Sequence, residues 1–559
     1  MNTFRTMVAG SLLLFGAAAC ADLEVTNPNN PGREVALTSA GDVESLIQGS
    51  FGQWLLGEQW DGDPTASPAF ALSTQAFQWT STAANFGILT YSRLPRSEIR
   101  NTVTHREYPV IDYSWNQNYR ALSAVSTGLR AIEANEDWAD ELGATGVLRA
   151  KIFGKFMQGL SHASIAVLYD KGFIIDETVA VLDESGAPAQ LGEPKTYNEV
   201  MSAAMGYFDA AIAMASSPAA ASITIPSDWM FSTKGDANVT MTELIAISNS
   251  LQARYRASVA RTPAERAAVN WTQVMADAQA GVTADWQINQ DQALTDLGVF
   301  LLAYPTLSTW GQMPLFIIGM ADQSGSYQAW LSRPLGARYP TNPYPTGERV
   351  LIRTPDKRFA QGNTQAEQLA SQGTCTSTTC PALPYFRFSA ATQHNRPERG
   401  EWRWSWYRPL GVLQPSAYYT SHPWIKADEM RLLMAEGRFR TGDLAGAATI
   451  INETRVGVGG LNATNAAGLN TSCVPKLPNG SCGNLFEMLK WEKRLETYMT
   501  GPYHTTWFFD GRGWNDLYVG TPLQWPMPAA EAGVLGLPVN TYGGANEFSA
   551  PGSTYGFDQ

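Results

Sequence analysis

Basic clusters are missing from this chain. Its 559 residues carry 39 Lys and Arg against 51 Asp and Glu, a formal net charge of −12. An acidic balance with no basic patch argues against nucleic acid as a partner. Histidine is scarce: His105, His162, His394, His422 and His504 are the whole set, and no two share the HExxH spacing of a zinc protease. Gly159-Leu160-Ser161-His162-Ala163 approaches a nucleophile elbow, but Ala163 replaces the second Gly and the flanking pattern is helical. Gly457-Val458-Gly459-Gly460 follows a helix, not the strand that a dinucleotide loop requires. Nothing points to a carboxylate pair for glycoside hydrolysis, although such residues can lie anywhere in a sequence. A succession of alternating strand patterns is also missing, which argues against an α/β fold.

Long apolar runs are absent as well. The N-terminal one, Leu12 to Phe15, follows Arg5 and precedes Ala17-Ala18-Ala19. Residues 1–19 therefore read as a secretion signal; the apolar core is too short for a membrane span. Cys20 comes next, as in a bacterial lipobox, with Ala17 where Leu is usual. This predicts lipidation of Cys20, and the alternative is an ordinary signal peptide followed by a stray Cys. Each buried CH₂ of an acyl chain contributes roughly 0.8 kcal/mol, so several chains would anchor firmly. Residues 20–38 include Asn27-Pro28-Asn29-Asn30-Pro31-Gly32, which cannot continue a helix and reads as a leash.

The four remaining cysteines form two near pairs, Cys375 with Cys380 and Cys473 with Cys482. In an exported chain such pairs read as disulfides stiffening exposed loops. With no His or second Cys pair beside them, zinc is not implied, and no cofactor is.

What the chain does have is helical periodicity. Ser39 with Asp42 can cap a helix carrying Val43, Leu46, Ile47 and Phe51. Trp115, Tyr119, Leu122, Val125, Leu129 and Ile132 recur at helical spacing, as do Leu148, Ile152, Phe156 and Leu160. Thr196 with Glu199, Thr240 with Glu243 and Thr262 with Glu265 are capping boxes, and Asn484 can cap the helix after it. Trp424 to Gly457 reads as a helical hairpin. Its first helix carries Ile425, Leu432, Leu433, Ala435 and Phe439, the turn is Thr441-Gly442-Asp443, and the second helix carries Leu444, Ala447, Ala448 and Ile451. Ala447 and Ile451 match part of the tetratricopeptide pattern; an ordinary hairpin is the plainer reading.

Eighteen Trp and twenty-one Tyr complete the picture. Most suit a core, but those in the loop-rich passages are candidates for recognition. Trp402, Trp404 and Trp406 alternate and so share one strand face, the pattern of a packed core layer more than of a ligand platform.

Several short motifs resemble the SusD/RagB family of outer-membrane nutrient-binding lipoproteins. They are Gly49 and Phe51; Arg149-Ala150 with Tyr169-Asp170; Asp356-Lys357-Arg358; Ala435-Glu436 with Gly442, Ala447, Ile451-Asn452 and Arg455; Glu492-Lys493-Arg494 with Glu496; Asp510 with Arg512; and Trp525-Pro526-Met527-Pro528 with Glu531. The resemblance implies a mostly α fold, in which tetratricopeptide-like hairpins pack against a large loop-rich region. It implies a single domain over 39–559, with a helical array at about 39–57, 112–300 and 423–500 and a loop-rich binding part at about 58–111 and 301–422. It further implies capture of an oligosaccharide or other nutrient at the outer membrane, without catalysis, and delivery to a TonB-dependent (SusC-like) transporter. By region, Trp79, Asn85, Tyr304 and Trp310 are the predicted ligand-binding residues. The alternatives are an extracytoplasmic glycoside hydrolase and a periplasmic helical-repeat scaffold.

Overall fold

The computed structural model describes residues 39–59, 66–80, 87–97, 99–179, 191–231, 237–289, 305–306, 311–334, 338, 350–376, 379–389, 405–413, 421–539 and 555. The predicted signal peptide, Cys20, the leash, Asn85, Tyr304, Trp310, Trp402 and Trp404 lie outside them.

The described chain is mostly α. Its principal helices are α1 Ala40–Glu58, α2 Pro68–Gln75, α3 Pro109–Ala134, α4 Glu136–Leu168, α5 Tyr197–Ala215, α6 Met241–Ser258, α7 Pro263–Ala268, α8 Trp271–Gln279, α9 Ala427–Arg440, α10 Leu444–Gly457, α11 Leu485–Glu496 and α12 Thr506–Trp514. Among the described residues, the sheets are four two-stranded antiparallel pairs: β1 Lys171–Gly172 with β2 Lys195–Thr196, β3 Thr224–Ile225 with β4 Val239–Thr240, β5 Trp286–Asn289 with β8 Ser421–Ile425, and β6 Arg387–Phe388 with β7 Tyr407–Arg408.

Local capping explains where the helices start. Ser39 Oγ accepts the Asp42 N–H, and Asn484 caps α11 by accepting the Glu487 N–H. At α5 and α6 the predicted capping boxes are complete in both directions. At α7 only half forms: Thr262 accepts the Glu265 N–H, but the Glu265 carboxylate turns to the Arg261 N–H at 2.8 Å. Helix α4 is broken at Gly143, whose φ of 68° is left-handed. Helices α1, α3 and α4 pack closely because small residues let them: a Cβ on Gly128 of α3 would meet Ile47 of α1 at 2.5 Å.

The α9–α10 hairpin turns through Thr441-Gly442-Asp443 as its sequence predicts, with Gly442 at φ 90° and Asp443 accepting the Gly446 N–H. Ala435 and Ala447 are buried at the crossing. Ile425, however, is not helical. It ends β8, paired to Trp286 of β5, and α9 begins only at Ala427. Pro423, which cannot donate to a helix, and two strand-favouring residues after it keep this stretch extended. The cap for α9 arrives from elsewhere in the chain, as Asp285 Oδ1 accepts the Ala427 N–H at 2.9 Å.

Candidate functional site

A backbone bridge joins the loop-rich passages. Thr80, just after α2, and Gln312 form an isolated antiparallel bridge, with Thr80 N–H donating to Gln312 O at 2.8 Å and Gln312 N–H to Thr80 O at 2.9 Å. Its next neighbour, Met313, is fixed by β7: Met313 N–H donates to Tyr407 O, and Ser405 Oγ donates to Met313 O at 2.6 Å. Behind the bridge, the Tyr498 hydroxyl donates to Gln78 O at 3.0 Å, and Gln78 Nε2 donates to His504 O. Asn85 follows Thr80 by five residues and Trp310 precedes Gln312 by two. Two predicted ligand residues distant in sequence are thus tethered to neighbouring roots. At about 3.3–3.6 Å per residue, Asn85 has a maximum reach of about 18 Å from Thr80.

Trp79 is placed differently from its prediction. It is fully buried, its indole N–H donates to Ser73 Oγ at 2.7 Å, and its ring meets Phe70 edge-on. Two residues before it, Phe77 adopts a left-handed φ of 60°. No ring face is left for a ligand, and the residue is core. The same holds for Tyr91, Tyr327, Trp330 and Tyr407 of these aromatic-rich passages, all buried. Trp406 sits in a core layer beside Phe388, ring centroids 5.4 Å apart. The described rings therefore form a packed base, with Phe77 stacked on Phe316 at 4.4 Å. Three amide oxygens of these passages, Gln75 Oε1, Gln78 Oε1 and Gln312 Oε1, are buried and accept no hydrogen bond among the described residues. A buried acceptor left unpaired costs about 1–3 kcal/mol, so each is a place where a hydroxyl donor would be favoured.

The motif residues are structural, and they form a buried ionic net. Glu436 pairs with Arg266 at 2.6 Å, and Arg266 also reaches Asp510 at 2.9 Å. Burial alone would raise the Glu436 pKa, but the Arg266 guanidinium holds it down at about 2. Arg358 is shared by Asp356, Glu492 and Glu496 at 2.6–2.9 Å. Lys493 reaches Asp510, and Arg494 reaches Asp516. Arg455 donates to the Asn462 and Val474 carbonyls, and Asn452 exchanges two hydrogen bonds with the Thr464 backbone. The closing motif is sewn to the end of α4: Trp525 N–H donates to Leu168 O, Asp170 N–H to Trp525 O, and Met527 N–H to Asp170 Oδ1.

The near-elbow of the sequence does not form a nucleophile site. Ser161 and His162 lie inside α4, fully buried. His162 Nδ1 is 2.7 Å from Gln158 O and Nε2 accepts the Ile175 N–H, while burial lowers the imidazole pKa to about 4. No cluster of three His, Cys, Asp or Glu that could hold a metal occurs among the described residues. Both local cysteine pairs are disulfides, Cys375–Cys380 and Cys473–Cys482. A groove of about 720 Å³ opens between the first turns of α6 and the turn from α8 into β5. Ile245, Val282 and Trp286 line it, and its two carboxylates, Glu243 and Asp285, already accept backbone N–H groups from Thr240 and Ala427. Trp79, the described one of the predicted ligand residues, is not among its lining residues.

No protein-family model matches the chain, and no curated protein matches it. Solved structures similar to it include a SusD superfamily protein from Bacteroides vulgatus, at 12% identity and TM-score 0.49, covering 86% of this chain and 89% of that one. A SusD superfamily protein from Bacteroides fragilis is similar at 13% identity and TM-score 0.48, covering 89% and 98%. A SusD homolog from Parabacteroides distasonis is similar at 13% identity and TM-score 0.49, covering 84% of each chain.

Proposed function

We propose that this protein is a lipid-anchored binding protein of the outer membrane, of the SusD/RagB type, that captures an oligosaccharide and passes it to a TonB-dependent transporter without breaking a bond. The observation that supports the reading most is the Thr80–Gln312 bridge, which brings the two predicted recognition passages to a common root. Asn85, Tyr304 and Trp310 are the ligand residues of this proposal: an indole can stack on the flat C–H face of a sugar while an amide bonds its hydroxyls. Cys20 is its anchor, and the motif resemblance supplies the transporter partner.

Two measurements test it. A tagged full chain, drawn in mild detergent from its native outer membrane, is expected to carry a stoichiometric TonB-dependent barrel. Recovery alone, or with assembly factors, would reject the delivery role. Binding of the purified protein to a glycan library, followed by calorimetry, should lose at least about tenfold in affinity in Trp310→Ala, as deletion of a stacking ring of roughly 1.4 kcal/mol would give. An unchanged affinity would remove Trp310 from the site.

A further inference from the structure

Four buried arginines, Arg254, Arg266, Arg358 and Arg494, each hold a carboxylate at 2.5–2.9 Å. Arg387 of β6 and Arg408 of β7 hold none among the described residues. The two are directly opposite in the ladder. Opposed residues place their side chains on one face of a sheet, with Cβ atoms about 4.5–5.5 Å apart, and like charges so placed are destabilising. The other face carries the next opposed pair, Phe388 and Tyr407, whose rings lie 6.0 Å apart in the core.

The two arginines differ in what holds them. Arg387 is buried and pinned between the ends of the Cys375–Cys380 loop. Its Nη1 donates to Gln372 O and Gly373 O, and its Nη2 to Pro381 O at 2.9 Å and Leu383 O at 3.3 Å. It has carbonyls but no counter-ion, and its Nε is sealed from solvent without an acceptor. Arg408 is only partly buried, makes no hydrogen bond or ion pair among the described residues, and has its Nε sealed in the same way. Its strand also leads to the bridge: Tyr407, the residue before it, accepts the Met313 N–H at 3.0 Å, and Met313 follows Gln312.

We propose that the Arg387–Arg408 face of β6–β7 seats an anionic group of the captured ligand, so that the ligand is an acidic oligosaccharide carrying uronate carboxylates or sulfate esters; the sugar part of this statement rests on the proposed function.

The chemistry of the pair selects such a ligand. A guanidinium offers planar, paired donors that match a carboxylate or a sulfate ester. Arg408 keeps enough exposure to be met from outside, and Arg387 adds a second positive charge behind it. Burial lowers the pKa of both, that of Arg408 to about 10, yet each stays charged at neutral pH. Partly buried charges are screened by salt less than exposed ones. A neutral sugar would leave both charges uncompensated, whereas an anion would relieve them. The chain as a whole carries a net charge of −12, which repels acidic ligands at long range, so the attraction must be local.

Thermal melts of the full chain and of Arg408→Met test the seat. Without ligand the variant should melt at the same temperature or higher, because an unpaired charge opposite a like one is gone. A lower value would mean that Arg408 already has a counter-charge within the chain, and would overturn the proposal. Sodium glucuronate should raise the wild-type melting temperature more than glucose with sodium chloride at equal ionic strength, and the variant should lose that difference. An equal gain in both proteins, or none in either, would overturn the proposal. Calorimetry with an oligogalacturonate, a sulfated galactan fragment and a neutral galactan fragment then tells the two anions apart. At least one acidic ligand should bind about tenfold or more weakly to the variant, as loss of a charge-assisted hydrogen bond gives, with neutral binding unchanged. If Arg408→Met does not fold, Arg408→Lys replaces it: the charge stays and the paired donors go, so acidic affinity should fall selectively, and an unchanged affinity overturns the proposal. Capture of neutral glycans without a glucuronate effect would reject this inference and leave the proposed function standing. A glucuronate effect with no glycan captured would keep the anion seat and reject the oligosaccharide reading.

Discussion

Replacing Arg358 by Met tests the buried ionic net most severely. Arg358 is fully buried and serves three carboxylates, Asp356, Glu492 and Glu496, all equally buried. Met keeps the stem's volume and removes the charge. Asp356 keeps the Trp491 indole N–H at 3.0 Å, Glu496 keeps the Tyr385 hydroxyl at 2.9 Å, and Glu492 has Arg455 at 4.0 Å. Among the described residues, no remaining cation is in hydrogen-bond contact with any of the three. Breaking one buried pair costs about 3–5 kcal/mol, and three acids depend on this one base, so the loss should fall at or above the upper end. The uncompensated acids will be driven to take up protons, which raises their pKa values in the folded variant. Stability then falls as pH rises, so the penalty is largest at neutral pH and shrinks on acidification. Urea denaturation followed by tryptophan emission is a suitable assay, since Trp491 stacks on Phe359 beside the net. A loss below about 1 kcal/mol at pH 7.5, or a loss equal at pH 7.5 and 5, would refute the reasoning. The double variant Arg358→Met/Glu492→Met should recover part of the loss, because it removes one of the stranded charges.

Trp79→Ala should destabilise the fold by about 3–5 kcal/mol, as deletion of a buried large ring does, while leaving glycan affinity of the folded protein unchanged; a selective loss of affinity would return Trp79 to the binding site. Gly442→Ala should cost about 1 kcal/mol in a thermal melt, because its φ of 90° admits a side chain poorly, and a neutral result would mean that the α9–α10 turn can relax.

Features specified within a few residues were legible in the sequence. Ser39, Thr196, Thr240 and Asn484 cap their helices through groups three residues away, and Gly442 ends α9 as such a residue should. Features that depend on distant partners were not. Ile425 belongs to β8 because β5 lies alongside it, and Asp285 caps α9 from across the chain. Helix α11 is dense in charged residues between Glu487 and Glu496. Yet Glu487, Lys490, Glu492, Lys493, Arg494 and Glu496 are all buried, because residues from Asp356 to Asp516 supply their counter-charges. In the candidate site, Trp79 is core because Ser73 and Phe70 of α2 take up its N–H and its ring, partners that composition does not reveal. Asn85 and Trp310 were chosen as loop residues, and the bridge linking their roots is a backbone contact with no side-chain signature.

The stitching of Trp525 and Met527 to Leu168 and Asp170 has a consequence for the order of events at birth. A ribosome finishes the α4 end long before it makes its partner. At about 5–20 residues per second the interval is tens of seconds. Throughout that time the Leu168 carbonyl waits without the Trp525 N–H that it accepts in the folded chain.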